Sequence, residues 1–350
     1  MSDPRLAGPP GPQPATALDK QVATARHAWA IKAVACLALL LVYPWLATPF
    51  FIYQIGAQAL VLGTIALSLT FLAGYGGMVS LSQMTVAGVA AYTVAIVGTS
   101  SVTEISLGWA PWLAVIVALL ASTIVALVIG ALSIRTEGIR TIMISLAIGV
   151  AFFYLTQQNY ALFNGFQGFS GIEAPMLFQF DTSKPRVFYH LALAVAAIAV
   201  LAVIYISRSP FGIGLQGLRD NPRRMSSLGF DVTAIRMLAH AIAGLIAGAG
   251  GILFVYYNQR ISPGSISTSA LIDVLVIAVL GGLRHPLGPY IGAALFVLLG
   301  NFAIDFVDRE RFNLLIGSVF LLIVLFSPDG LLGLWDRLRN SLRPVAQREQ

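Results

Sequence analysis

Apolar residues in this chain gather into ten runs, at approximately 29–47, 50–73, 80–98, 112–134, 141–157, 187–206, 232–257, 270–282, 289–304 and 313–328. A helix needs about 20 residues to cross the hydrocarbon core of a bilayer, with a range of roughly 17–25, and most of the runs reach or approach that length. The pattern predicts an all-α polytopic membrane protein with about eight to ten transmembrane helices. Two places depart from simple spans. Glycines interrupt the apolar pattern near 74–83. The run 270–282 is too short, and it passes into the next through Gly281-Gly282-Leu283-Arg284-His285-Pro286-Leu287-Gly288-Pro289. Residues 270–304 therefore read either as two tilted spans or as one re-entrant hairpin, and both readings leave the two termini on the same side.

Flanking segments and charge set the orientation. Residues 1–27 are rich in Pro, Gly and Ala and read as a disordered tail. Residues 28–335 form the membrane domain and 336–350 a second tail. No small-residue cleavage site follows the first apolar run, which reads as a retained span. With the N-terminus inside and the spans alternating, 16 of the 21 Lys and Arg fall on the inner side and 5 on the outer. That bias predicts cytoplasmic termini and a cytoplasmic 207–231 loop. It also accounts for the net charge of +6 without nucleic acid.

Composition agrees and excludes some chemistry. Hydrophobic residues make up 57% and charged residues 10%, against roughly 25% charged in soluble domains. Cys36 is the sole cysteine, and His27, His190, His240 and His285 are scattered, so neither an internal disulfide nor a Cys/His metal spacing exists. No GxxxxGK[ST] phosphate loop occurs, so ATP hydrolysis by this chain is not expected. Nor does the sequence show the clustered nucleophile or acid–base pair that an integral-membrane enzyme needs.

The loop Ser207–Asp231 reads SRSPFGIGLQGLRDNPRRMSSLGFD and carries Arg208, Arg219, Arg223 and Arg224. Asn221 suits an N-cap, Pro222 the first helical position, and Gly229 a left-handed stop, which predicts a short helix over Pro222–Leu228. Ahead of it Ile213, Leu215 and Leu218 fall near one face of a second short turn ending at Asp220. Two stubby helices with apolar and basic faces make a plug for a groove on a soluble protein. A solvated connector with arginines at lipid phosphates is the plainer alternative.

Other features carry paired readings. Gly74, Gly76 and Gly77 break an apolar run where irregular backbone is tolerated only against protein or water. One reading is a discontinuous helix lining a pathway, with a new N-terminus near Ser80 and hydrogen bonds from Ser80, Ser82 and Gln83. The other is a tight turn and close helix packing. Asp273, within a membrane run, is a candidate gate residue with Gly281 and Gly282, either paired to a base such as Arg260 or wet near the interface. His240 reads as a packing residue rather than a proton relay. The stripe Gly244, Ala247, Gly248 and Gly251 predicts close helix–helix contact, within the subunit or across to a partner. The segment 158–186, with Tyr160, Phe163 and Phe166, is either a docking site for an external protein or an interfacial lid.

At the 207–231 loop the sequence resembles the permease subunits of branched-chain amino acid ABC importers, the M-type in particular. The matching residues are Ser207-Arg208, Gly212, Arg219-Asp220-Asn221 and Leu228-Gly229-Phe230. Gly74-Tyr75-Gly76-Gly77-Met78-Val79-Ser80-Leu81-Ser82-Gln83 is similar to the family's Gly-rich segment, continuing to Gly88 and Ala91-Tyr92-Thr93. Arg135, Gly138, Leu146-Ala147, Gly165, Gly168, Gly171-Ile172, Ile261-Ser262-Pro263, Gly281-Gly282, Gly288-Pro289, Gly292-Ala293, Pro328, Gly330-Leu331 and Gly333 follow in order across roughly 50–335. Ser82 stands where the family has glycine, Arg140-Thr141 where an aromatic pair is common, and Arg284 where a glycine follows the double glycine. These departures leave the transporter class in place and weaken inference about the substrate.

The resemblance implies a multi-pass protein of the bacterial inner membrane, paired with a homologous second permease subunit. Two cytoplasmic ABC ATPase subunits, holding the ATP and Mg, would dock on Gly212, Arg219, Asp220, Asn221, Arg223, Arg224, Leu228 and Gly229. An extracytoplasmic substrate-binding protein would deliver substrate. Leucine, isoleucine and valine are the central expectation; urea, short amides and small aromatic acids are carried by similar permeases. A secondary carrier or channel is the alternative class, for which Asp273 and His240 are nearly the whole supply of intramembrane ionisable groups.

Overall fold

The computed structural model describes residues 38–134, 136, 138–172, 174, 175, 182, 184–302, 317, 318, 321, 330, 331 and 333. The chain divides into two compact units, Met1–Thr48 and Pro49–Gln350. In the first, residues 38–46 form a helix, α1. The tails 1–27 and 336–350, most of the run 313–328, and Arg135 and Pro328 lie outside the described residues.

The second unit is helical almost throughout its described length. Its long elements are α2 (Phe51–Tyr75), α4 (Pro111–Ser133), α5 (Ile139–Gln158), α7 (Pro185–Arg208) and α10 (Val232–Asn258), each long and apolar enough to cross a membrane. Three shorter apolar helices join them: α3 (Gln83–Val97), α11 (Thr268–Gly281) and α12 (Gly288–Phe302). The small elements are α6 (Tyr160–Phe163), α8 (Pro210–Asp220), α9 (Pro222–Ser227) and a two-residue antiparallel ribbon of β1 (Phe169–Ser170) and β2 (Arg260–Ile261). This is an all-α polytopic membrane protein.

Side-chain locks fix which ends lie together. Tyr53 near the start of α2 donates its hydroxyl to the Tyr257 carbonyl near the end of α10 at 2.6 Å, and their rings stack at 4.7 Å. Arg236 in the first turns of α10 donates to the Ile134 carbonyl at the end of α4 at 3.0 Å. The long helices therefore alternate between one face that carries α8 and α9, here the loop face, and the opposite, far face. α3 sits at the centre, buried along nearly its whole length and packed against α2, α4, α5, α10 and α11.

Close packing in this core uses the predicted small-residue stripe, and uses it inside the chain. A Cβ on Gly244 would press on Ala126 and Thr123 of α4, one on Gly248 on Ser122, and one on Gly251 on the backbone of Ala87 in α3. His240 is 3% exposed, bonds the Arg236 carbonyl through Nδ1 at 2.9 Å and lies against Gly130, which is the packing role expected of it.

The segment 270–304 resolves into α11 and α12, packed antiparallel. Gly281 meets the Gly288 backbone and Gly292 meets the Ile277 backbone too closely for any Cβ. At about 1.5 Å per residue these helices are roughly 21–23 Å long, shorter than the roughly 30 Å hydrocarbon core. The turn 282–287 closes them on the loop face, which places Arg284 on the same side as Arg219.

Candidate functional site

The 207–231 loop folds into two capped helices lying on the body of the protein. Ser209 accepts a hydrogen bond from the Gly212 amide at 3.2 Å and Pro210 takes the first helical position, so α8 is a full eleven-residue helix rather than the short turn expected. The Ser209-Pro210 pair was the signal for that start. Asn221 caps α9 by accepting from the Arg224 amide at 3.0 Å, and Gly229 takes φ +88. The α9 helix ends at Ser227, one residue short of the expectation. Asp231 caps α10 by accepting from the Ala234 amide at 3.0 Å.

The α8 helix is amphipathic. Leu215 and Leu218 are 0% and 2% exposed, whereas Ile213 on the outer side is 64% exposed. The inner face packs against Phe71 and Leu72 of the α2 end, Met78 in the break that follows, and Ala239 and Ala243 of α10. Outward, Arg223 and Arg224 of α9 are exposed, as are Leu228 and Gly229. The loop thus presents an apolar and cationic outer surface while its inner face is fixed to the helices beneath.

The break at 74–83 lies directly under α8. α2 ends in π-helical turns over Phe71–Tyr75, a form that loosens the regular backbone ladder and frequently marks functional positions. Arg219 donates from Nη1 to the Gly74 carbonyl at 2.7 Å, so the side chain of α8 caps the end of α2. Gly77 turns the chain with φ +66, and a Cβ there would lie 2.7 Å from Arg219 Cγ. On its other side Gly74 abuts the Leu283 carbonyl so closely that any Cβ would collide with it. Gly281 and Gly282 flank the same turn. Gly74 is where the loop helix, the broken helix and the α11–α12 turn meet.

Beyond Gly77 the chain re-enters the body without helical structure and starts α3 only at Gln83. The helix N-terminus expected near Ser80 is therefore three residues later. Gln83 Oε1 accepts from Ser68 Oγ at 3.0 Å, and Ser68 lies six residues before Gly74. At about 1.5 Å per residue, α3 begins roughly 9 Å inside the loop-face end of α2. Ser80 and Ser82 bond each other at 2.8 Å, and the Leu81 amide donates to Ser145 Oγ of α5 at 2.9 Å. Ser80, Ser82 and Gln83 are each no more than 2% exposed. Sequence reasoning placed these residues at a break; it missed Ser68, Ser145 and Leu283, whose partnerships join distant elements.

Asp273 lies in the second turn of α11, half-buried, with no ion pair to Arg260 or to any other base among the described residues. The structure does not bring it to the Gly281–Gly282 turn, which lies at the opposite end of α11. On the far face the predicted aromatic segment is anchored. Phe163 meets the ring of Tyr92 edge-on at 5.3 Å and that of Phe152 at 6.0 Å, while Tyr160 and Phe166 are 65% and 67% exposed.

Comparison with known proteins places this architecture. The family described as the permease component of the branched-chain amino acid transport system matches residues 51–325. The high-affinity branched-chain amino acid transport system permease protein LivM of Salmonella typhimurium is 25% identical over 313 residues, covering 82% of this chain and 72% of LivM. Its namesake in Escherichia coli is 24% identical over 322 residues, 85% of this chain and 74% of that protein. A nucleoside ABC transporter permease, NupC of Lactococcus lactis, is 29% identical over 110 residues, 31% of this chain and 33% of NupC. No solved structure matches. With its membrane helices, its glycine break and its paired loop helices, this chain belongs to the branched-chain amino acid transport system permease family.

Proposed function

We propose that the chain is the M-type permease subunit of an ATP-binding-cassette importer for branched-chain amino acids in a bacterial inner membrane. The loop face is cytoplasmic, in keeping with the distribution of Lys and Arg. Two ATPase subunits dock on α8 and α9, a homologous second permease completes the membrane part, and an extracytoplasmic binding protein delivers the solute. The chain binds no nucleotide or magnesium itself and is not an enzyme. Energy enters mechanically, through ATPase states that bind the loop helices differently.

One observation carries the reading: the bond from Arg219 to the Gly74 carbonyl. A loop that only connected two spans would have no need to cap a broken helix beneath it. Through that bond, displacement of α8 pulls on the end of α2 and, across Gly74, on the α11–α12 turn. The likeness to LivM over most of both chains supports the substrate class.

The test is gentle detergent extraction from the native membrane, mass spectrometry of co-purifying chains, and ATP-driven uptake of leucine and of uridine after reconstitution. Recovery of a Walker-motif ATPase and a second polytopic subunit, with leucine uptake, is expected. Uridine uptake without leucine uptake would instead favour the nucleoside reading that the NupC likeness suggests. A chain that purifies alone and moves solute on an ion gradient would overturn the proposal.

A further inference from the structure

The α5 helix turns its large apolar side chains outward and its small and hydroxylated ones inward. Over its most apolar stretch 22% of residues are buried, the least of the five long helices. Met143, Tyr154 and Leu155 face outward, 65%, 53% and 51% exposed. Its buried residues are Thr141, Ser145, Gly149 and Thr156, all small or polar. That arrangement lets a membrane helix pack closely, and what sets α5 apart is the chemistry of the surface it packs on.

The surface opposite is the α5-facing side of α3, and it is also hydroxylated. The Leu81 amide donates to Ser145 Oγ at 2.9 Å, Thr85 Oγ1 lies where a Cβ on Gly149 would come within 3.0 Å, and Tyr92 OH faces Thr156. Thr85 and Tyr92 are each 1% exposed; among the described residues Thr85 Oγ1 has no hydrogen-bond partner, and Tyr92 OH reaches only Thr156, whose own hydroxyl is already given to the Phe153 carbonyl. Many helical hydroxyls in the chain satisfy themselves on their own backbone, as Thr64, Thr93, Thr123, Ser145 and Thr156 do at 2.7–2.9 Å. Buried hydroxyls are normally paired, and an unpaired Thr85 two turns from a Tyr92 held only by Thr156, on one face of one helix, forms a row of unspent hydrogen-bonding capacity. The other unpaired buried groups among the described residues, Thr70 Oγ1, Ser133 Oγ and His240 Nε2, lie on α2, α4 and α10 and are not part of that row.

We infer that the seam between α3 and α5 is a solute-binding surface of this subunit, with Thr85 Oγ1 and Tyr92 OH as the groups that hydrogen-bond the solute when α5 moves away from α3. The chemistry fits a small zwitterionic α-amino acid. Hydroxyls both donate and accept, so they serve an ammonium and a carboxylate alike. No Asp, Glu, Lys or Arg is among the buried residues described, so a lone anion or cation would meet no countercharge there. This inference rests on the permease reading above.

The test uses the reconstituted complete transporter, wild type and with Thr85→Val, Tyr92→Phe or Ser145→Ala, and follows initial leucine uptake, ATP hydrolysis and thermal stability. Removing an orphan hydroxyl relieves an unmet polar group, so a purely structural role predicts Thr85→Val at or above wild-type stability and Tyr92→Phe close to it, with uptake unchanged in both. The binding role predicts the same stability but an apparent KM for leucine raised about tenfold, as for one lost hydrogen bond. Ser145→Ala, which loses a partnered hydroxyl, lowers stability and serves as the control for a structural loss. In a Cys36→Ser background, Thr85→Cys should react with a small methanethiosulfonate during turnover and be protected by leucine. Unchanged KM in both hydroxyl variants, with wild-type uptake present, overturns the seam and leaves the permease reading standing. Absence of leucine uptake by the wild-type complex overturns both.

Discussion

Arg219 and Gly74 lie 145 residues apart in sequence, yet the guanidinium of one closes a 2.7 Å hydrogen bond on the carbonyl of the other. The same guanidinium also pairs with Asp220 at 3.0 Å. The two bonds do different things. The first joins a surface helix to the end of a membrane helix, and the second stays within the surface helix. Asp220 is 68% exposed, so its ion pair is worth little in water, typically about 0–1 kcal/mol.

Arg219→Ala should therefore separate the two effects from Asp220→Ala. A hydrogen bond to a charged group contributes roughly 1.5–3 kcal/mol, and about 1.4 kcal/mol is tenfold in an equilibrium. ATP-driven leucine uptake is expected to fall about tenfold or more in Arg219→Ala, while the assembled complex still hydrolyses ATP. Asp220→Ala should keep most of its uptake. Equal uptake in the two variants, measured in the same liposomes, would remove the Arg219–Gly74 bond from the coupling path.

Gly74 is fixed by what lies beside it, and Gly76 gives the contrast. A Cβ on Gly74 meets the backbone carbonyl of Leu283, which cannot give way without moving the α11–α12 turn. A Cβ on Gly76 meets Met78 Cε at 2.9 Å, the free end of a flexible side chain. Gly74→Ala is expected to cost about 1–3 kcal/mol or more, the range for overpacking, and Gly76→Ala much less. Thermal unfolding in detergent would show it, and a larger loss in Gly76→Ala would contradict the packing at Leu283.

These residues also mark what could be read along the chain. The spans were legible because apolar runs of membrane length have few alternatives. The cap at Asn221 and the turn at Gly77 follow from local chemistry, whereas the cap that Asp231 puts on α10 went unread. The depth at which α3 begins was hidden, because it depends on Ser68 meeting Gln83 and Ser145 meeting the Leu81 amide across three helices. The π-helical end of α2 left no compositional trace. Ser209-Pro210 announced the true length of α8, but apolar periodicity in so short a segment pointed only to a turn.

The α10 stripe makes a second packing prediction. A Cβ on Gly251 would enter the backbone of Ala87 in the central helix α3, whereas one on Gly264, in the 3₁₀ turn Pro263–Ile266, finds its nearest neighbour, Ser262 Oγ, at 3.8 Å. Gly251→Ala should lower the unfolding temperature and displace α3; Gly264→Ala should leave it unchanged. If the two behaved alike, α10 and α3 would not be in the contact described.

Orientation can be decided with three single cysteines in a Cys36→Ser background. Arg223 on α9 and Arg284 in the α11–α12 turn are exposed on the loop face, and Phe166 is exposed on the far face. The excess of Lys and Arg puts the loop face in the cytoplasm. A membrane-impermeant maleimide should therefore label Phe166→Cys in intact spheroplasts and spare Arg223→Cys and Arg284→Cys, and the order should reverse in inside-out vesicles. Opposite labelling of Arg223→Cys and Arg284→Cys would mean that α11 and α12 do not return the turn to the face where Leu283 meets Gly74. Labelling of Arg223→Cys from outside would expose α8 and α9 to the wrong compartment for an ATPase, and the docking role would fall with it.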